Sequence, residues 1–202
     1  MNDLSPTATP SFTARGVVAG LRSLGPVAFI FALPFGIAFG AAALDRGLSP
    51  DQALLMSGIM FAGASQFAAL EVWRDPPPYL TIALVVLAVN ARHVILGAAL
   101  APWVNPLPRG RRFAALVLLS DANFADSRKA FSQGAVDAGR ILGGGLALWS
   151  AWMVGVAIGV AIGARAEDLD KFGVDLVMAS FFAAIAASDL RVRANRAPII
   201  VA

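Results

Sequence analysis

Several polar side chains stand inside long apolar runs: Ser65, Gln66, Asn90, Arg92, His93, Asp121 and Asn123. Arg92 is the most expensive of them, because a cation near the centre of a bilayer costs roughly 2.5–3.5 kcal/mol on insertion scales. Such a residue persists with a partner, a wet cavity or a task. Asp121 is the only acid clearly within an apolar segment, so an Asp121–Arg92 pair is expected, each ion offsetting the other's burial. A static pair and a ligand-handling pair both satisfy that reasoning. His93, the single histidine, could titrate in the physiological range beside such a pair and relay protons; hydrogen-bonded packing is the commoner use of a lone histidine. Asn90 and His93, three residues apart, share a helix face with Gly97, and Arg92 points about 100° away. Gln66 can donate and accept across helices, as glue or as a ligand contact. Ser65 most simply bonds a carbonyl of its own helix. Ser65 and His93 can also be read as nucleophile and base of an intramembrane serine hydrolase. That chemistry needs contact within about 2.6–3.2 Å and oxyanion donors, and bulky Gln66 and Phe67 make a poor nucleophile turn.

The elements that position these residues are membrane helices. Of 202 residues 58% are hydrophobic and 14% charged, with mean hydropathy +0.71, against roughly 45–50% and 25% in soluble domains. The net charge of +3 does not suggest nucleic acid, because the arginines lie mostly between apolar runs, where they anchor spans and bias topology. Without cysteine, disulfides and thiolate sites are excluded. One histidine is too few for the common zinc motifs, and no phosphate-cradling Gly-x-x-x-x-Gly-Lys-Ser/Thr loop is present. No cofactor, metal or enzymatic activity is expected.

The fold class that follows is an all-α integral membrane protein with five to six transmembrane segments, some kinked or discontinuous. Residues 1–20 read as a tail, 21–190 as the transmembrane domain and 191–202 as a short carboxyl tail. The first run, residues 21–44, is expected to kink or break near Pro34. The second, 52–73, follows a turn in which Ser49 or Asp51 could cap, with Pro50 in the first turn. The third covers 79–103. The fourth, 113–125, is short and interrupted by Asp121 and Asn123; it suits a half-helix facing a cavity, or a short helix whose polar end continues through Arg128 and Lys129. The fifth, 141–164, carries Gly155, Gly159 and Gly163, a spacing for close helix packing. The sixth covers 174–188. Residues 55–60 faintly resemble 177–182, an internal likeness of the kind found in transporters. For six crossings the basic residues between runs favour cytoplasmic termini.

The segments Pro34-Phe35-Gly36-Ile37-Ala38-Phe39-Gly40, Phe61-Ala62-Gly63-Ala64-Ser65-Gln66-Phe67-Ala68 and Asn90-Ala91-Arg92-His93, in this order and spacing, resemble the AzlC family. Gly173 to Asp175 adds modest support. The resemblance runs from about residue 15 to 191. It implies a bacterial inner-membrane permease exporting branched-chain amino acids, working with a small, separately encoded subunit of the AzlD type. Two departures stand out: Ser120-Asp121-Ala122 replaces a usual Thr-Asp-Glu, and family members usually continue into further apolar segments. Resemblance and polar residues together place a substrate pathway at Pro34, Gly36, Gly63, Ser65, Gln66, Asn90, Arg92, Asp121 and Asn123. The substrate side chain is expected among Phe35, Phe61 and Phe67, with proton coupling through His93 and Asp121. A non-transporting membrane scaffold is the remaining class.

Overall fold

The computed structural model describes residues 9–164. Two long rods form its backbone. The first joins α1 (Ala14–Val27), a π-helical turn (Ala28–Ala32) and α2 (Leu33–Asp45). The second is α9 (Gly139–Gly163). They lie against each other along a seam of glycines. A Cβ on Gly143 would fall on the Val17 carbonyl, one on Gly20 on the Arg140 carbonyl, one on Gly155 on the Leu33 carbonyl and one on Gly159 on the Ile37 carbonyl. Small residues let the backbones meet where any side chain would part them. The expected packing role of Gly155 and Gly159 is the observed one.

Asp137 clasps the start of both rods. Its Oδ1 accepts from the Thr13 amide at 3.1 Å and from the Gly139 amide at 2.9 Å, and its Oδ2 accepts from the Thr13 hydroxyl. Thr13 in turn caps α1 by accepting from Gly16 N–H. Helix therefore begins at Ala14, inside the stretch assigned to the amino-terminal tail. The cap and the clasp satisfy the orphan amides that a helix start exposes.

Pro34 does not break its helix. The chain passes it by widening one turn: Leu33 N–H bonds the Ala28 carbonyl, five residues back. Proline has no N–H to offer the Ile30 carbonyl, and a π turn ahead of it absorbs the mismatch without ending the rod. The break lies in the second run instead. There α3 (Pro50–Ile59) and α4 (Gly63–Glu71) are separated by residues 60–62. Ser49 caps α3, accepting from Gln52 N–H while the Gln52 side chain returns a bond to the Ser49 amide at 2.8 Å, with Pro50 in the first turn. Phe39 of α2, Phe67 of α4 and Trp152 of α9 form the core that holds the pieces together, the two phenyl rings meeting edge to face at 5.6 Å.

The third run is α5 (Tyr79–Asn90) and α6 (Arg92–Val104), interrupted only at Ala91, whose carbonyl accepts from Val94 N–H in a tightened turn. Leu80, Leu84, Leu87, Val94 and Ile95 are exposed along it, an outer face that suits lipid. The fourth run is a second broken helix: α7 (Arg109–Leu116), a gap at residues 117–120, and α8 (Asp121–Ser132). Both readings of that run hold in part. There is a discontinuity, and α8 carries its polar end through Arg128 and Lys129, with Arg128 stacked 5.1 Å from the Trp103 ring. Among the described residues three helices are long and apolar enough to cross a membrane, Ala14–Asp45, Tyr79–Val104 and Gly139–Gly163, and the broken pairs lie between them in sequence. The sixth run, its likeness to the second, and Gly173 to Asp175 lie outside the described residues.

Candidate functional site between two broken helices

The two breaks face one cavity of about 300 Å³. Phe61, Ala62, Gly63 and Ala64 from the first break meet Ser120, Asp121 and Ala122 from the second, with Arg92 and His93 of α6 beside them; apolar side chains of the rods close the rest. Arg92 Nη1 lies 3.0 Å from Asp121 Oδ2. The ion pair expected from burial energetics is present, but it is not sealed: the side chains are 37% and 59% exposed. Arg92 Nε is buried without a partner, so the guanidinium retains donor capacity.

The starts of α4 and α8 bring positive dipole ends, while α6, which also starts here, continues α5 through Ala91 and adds little. Ala62 gives α4 no side-chain cap, so the amides of its first turn are left to an occupant of the cavity. Each N-terminus is equivalent to roughly +0.5 charge. With Arg92 and Asp121 cancelling, the two helix starts leave the cavity with a net potential of roughly one positive charge. Such a site favours a carboxylate, and Asp121 supplies the matching acceptor for a cationic group.

Asn123 holds the second break in place. Its Oδ1 accepts from the Ser120 amide at 2.7 Å, and its Nδ2 donates to the Leu118 and Ile141 carbonyls at 2.8 and 3.0 Å. It is fully buried and does not line the cavity, although it was expected among the pathway residues. Gln66 does the same for the first break, donating from Nε2 to Ser57 Oγ at 3.0 Å across residues 60–62. Of its two expected uses, glue is the one observed. Ser65 is buried and donates to the Ala62 carbonyl at 2.9 Å. His93 Nδ1 lies 3.2 Å from the Asn90 carbonyl. A carbonyl only accepts, so Nδ1 donates this bond, and in the neutral ring Nε2 is the acceptor. Ser65 and His93 are thus each engaged with a backbone carbonyl and not with each other.

Three further expectations change. Gly36 packs in the seam, where a Cβ would strike the Trp152 carbonyl, and does not line the cavity. Pro34 is exposed and does not line the cavity, because the π turn presents Phe31, Ala32 and Phe35 there instead. Phe67 is fully buried in the aromatic core, whereas Phe35 and Phe61 do line the cavity. Gly63 lines it too, its open side facing the Trp152 ring. Asn90, His93 and Gly97, placed on one face from their spacing, line a second cavity. Sequence reasoning missed a polar knot between α1, α8 and α9. Arg140 Nε donates to Asp126 Oδ2 at 2.7 Å and its Nη2 to Oδ1 at 2.9 Å, and Ser23 bonds both partners.

Paired broken helices, an ionic site between them and spanning rods packed through glycine define an all-helical membrane protein of transporter-like build. The comparisons narrow this further. The family described as AzlC protein matches residues 26–165, and the chain belongs to that family. It is 27% identical over 162 residues to inner membrane protein YgaZ of Escherichia coli K12, covering 79% of this chain and 66% of that one. It is 32% identical over 132 residues to a membrane protein of Archaeoglobus fulgidus (65% of this chain, 56% of the relative). A Helicobacter pylori membrane protein is 25% identical over 150 residues (74% and 65%). The chain spans about two thirds or less of the length of these relatives. No solved structure matches it.

Proposed function

We propose that the protein is a permease subunit that exports branched-chain amino acids across the bacterial inner membrane. The observation that carries this reading is the Arg92–Asp121 pair, open to an otherwise mainly apolar cavity at the joint of two helix starts. A zwitterion replaces that pair contact for contact. Its carboxylate goes to Arg92 and the α4 amides at Gly63 and Ala64, and its ammonium to Asp121. Its branched side chain lies among Val27, Phe31, Phe35, Phe61 and Leu148, all of which face the cavity. Half-helix ends commonly serve zwitterionic substrates in this way. Family membership supports transport, and the inner-membrane name of the E. coli relative supports the location.

The proton gradient is the driving force in this reading, with Asp121 and the free Nε2 of His93 as carriers beside the substrate. A small AzlD-type membrane subunit completes the transporter. The test is valine and leucine efflux from cells expressing the chain with and without such a subunit. Efflux above the empty-vector level with the subunit supports the reading, and none in either case overturns it. Transport measured across pH for His93→Ala and Asp121→Asn tests the coupling; an unchanged pH dependence in both excludes these residues as carriers.

A further inference from the structure

A second cavity, of about 390 Å³, lies on the other side of the first break and shares Phe61, Ala62 and His93 with the site above. Its electrostatics are reversed. The first cavity meets the starts of α4 and α8; the second meets the ends of α3 and α7, through Ile59, Met60, Leu116 and Val117. Helix ends carry roughly −0.5 charge each, and although the Met60 and Leu116 carbonyls are engaged by the Ala62 and Leu119 amides, each carbonyl has a second lone pair to offer. Asn90 adds a buried Oδ1 with no hydrogen-bond partner, and His93, in its neutral ring, offers Nε2 as a further acceptor on the boundary. Acceptors, negative dipole ends and aliphatic walls on one cavity suit an ammonium group carrying an apolar side chain.

We propose that this second cavity is a further resting place on the transport path, in which the substrate's ammonium group docks on Asn90 Oδ1 and the carbonyl ends of α3 and α7. The substrate reaches it from Arg92 and Asp121 by passing the constriction of Phe61, Ala62 and His93. The inference rests on the transport reading above, and adds to it a second station of opposite polarity.

Gly97 gives the test. It lines the second cavity and not the first, and a Cβ there meets nothing within 4 Å, so a larger side chain enters open space. The wild-type chain, Gly97→Ala, Gly97→Leu and Asn90→Leu are reconstituted with the small subunit in liposomes loaded with leucine, and leucine binding is titrated in parallel. Gly97→Leu is expected to lower efflux about tenfold or more with leucine affinity within about twofold of wild type, and Gly97→Ala to change neither. Asn90→Leu, which removes the acceptor while keeping the branching and number of heavy atoms, is expected to slow efflux. Wild-type efflux from Gly97→Leu, or from Asn90→Leu where Gly97→Leu does not fold, overturns the second station alone. A wild-type chain that neither binds nor moves leucine overturns the transport reading and the station with it.

Discussion

Breaking the Arg92–Asp121 pair is expected to be unequal in its two halves. The contact is short, 3.0 Å, but the side chains are 37% and 59% exposed. Two unit charges about 4 Å apart attract by about 4 kcal/mol at an effective dielectric of 20, whereas measured exposed pairs give about 0.2–1 kcal/mol. A half-open pair with a buried Arg92 Nε falls between, at about 1–2 kcal/mol of coupling. Asp121 is also the first residue of α8, where the helix dipole stabilises a carboxylate by about 0.3–1 kcal/mol. Arg92→Gln leaves that support in place and is expected to cost only the coupling, about 1–2 kcal/mol. Asp121→Asn loses both terms and leaves Arg92 facing two positive helix starts, for about 1.5–3 kcal/mol. Thermal unfolding of purified single and double variants in detergent reads this as about 2–4 °C per kcal/mol. The exchanged pair, Arg92→Asp with Asp121→Arg, should not recover wild-type stability, because it puts a cation on the free start of α8, whereas α6 continues α5 through one tightened turn and offers its first residue little dipole in return. A coupling indistinguishable from zero, Arg92→Gln as the more damaging single change, or full rescue by the exchange would each refute the reasoning.

Gly159→Ala places a methyl group on the Ile37 carbonyl and should destabilise the seam by about 1–3 kcal/mol, seen as a lower melting temperature; an unchanged melting point would mean the rods are not packed backbone to backbone. Asn123→Ala strands the Leu118 and Ile141 carbonyls and should cost about 2–4 kcal/mol, with transport lost as the second break shifts. Gln66→Leu removes only the bond to Ser57, so stability should fall by about 1 kcal/mol while leucine affinity holds. A large loss of affinity there would make Gln66 a ligand contact after all.

Energetic anomalies were the legible part of the site. Arg92 and Asp121 were each costly alone, and pairing them followed from the cost. The Ser49 cap and the glycine seam were legible because local chemistry and spacing decide them. The break at residues 60–62 was not, since Met60, Phe61 and Ala62 carry no breaking signal. It depends on tertiary contacts: the Gln66–Ser57 bond spans it, and Gly63 admits the Trp152 ring. Pro34 misled for the complementary reason. It is a strong local signal, but the neighbouring rod keeps the helix whole and a π turn takes up the mismatch. Asn123 looked like a pathway residue because polarity alone does not tell a ligand contact from a cap. Its position three residues after Ser120 was the available sign, being the spacing of a capping box. Asp126, Arg140 and Ser23 lay at run ends, where charge is ordinary, and only the fold brings them together.

Leucine efflux from liposomes containing the wild-type chain or Arg92→Gln, each with the small subunit and at equal protein density, tests most directly whether the cavity between the two helix starts carries a zwitterion through Arg92. Wild type should move leucine but not 4-methylpentanoate, which lacks the ammonium group, and Arg92→Gln should lose leucine efflux by about tenfold or more. Leucine efflux from Arg92→Gln at the wild-type rate, or equal movement of the two compounds by wild type, would contradict it.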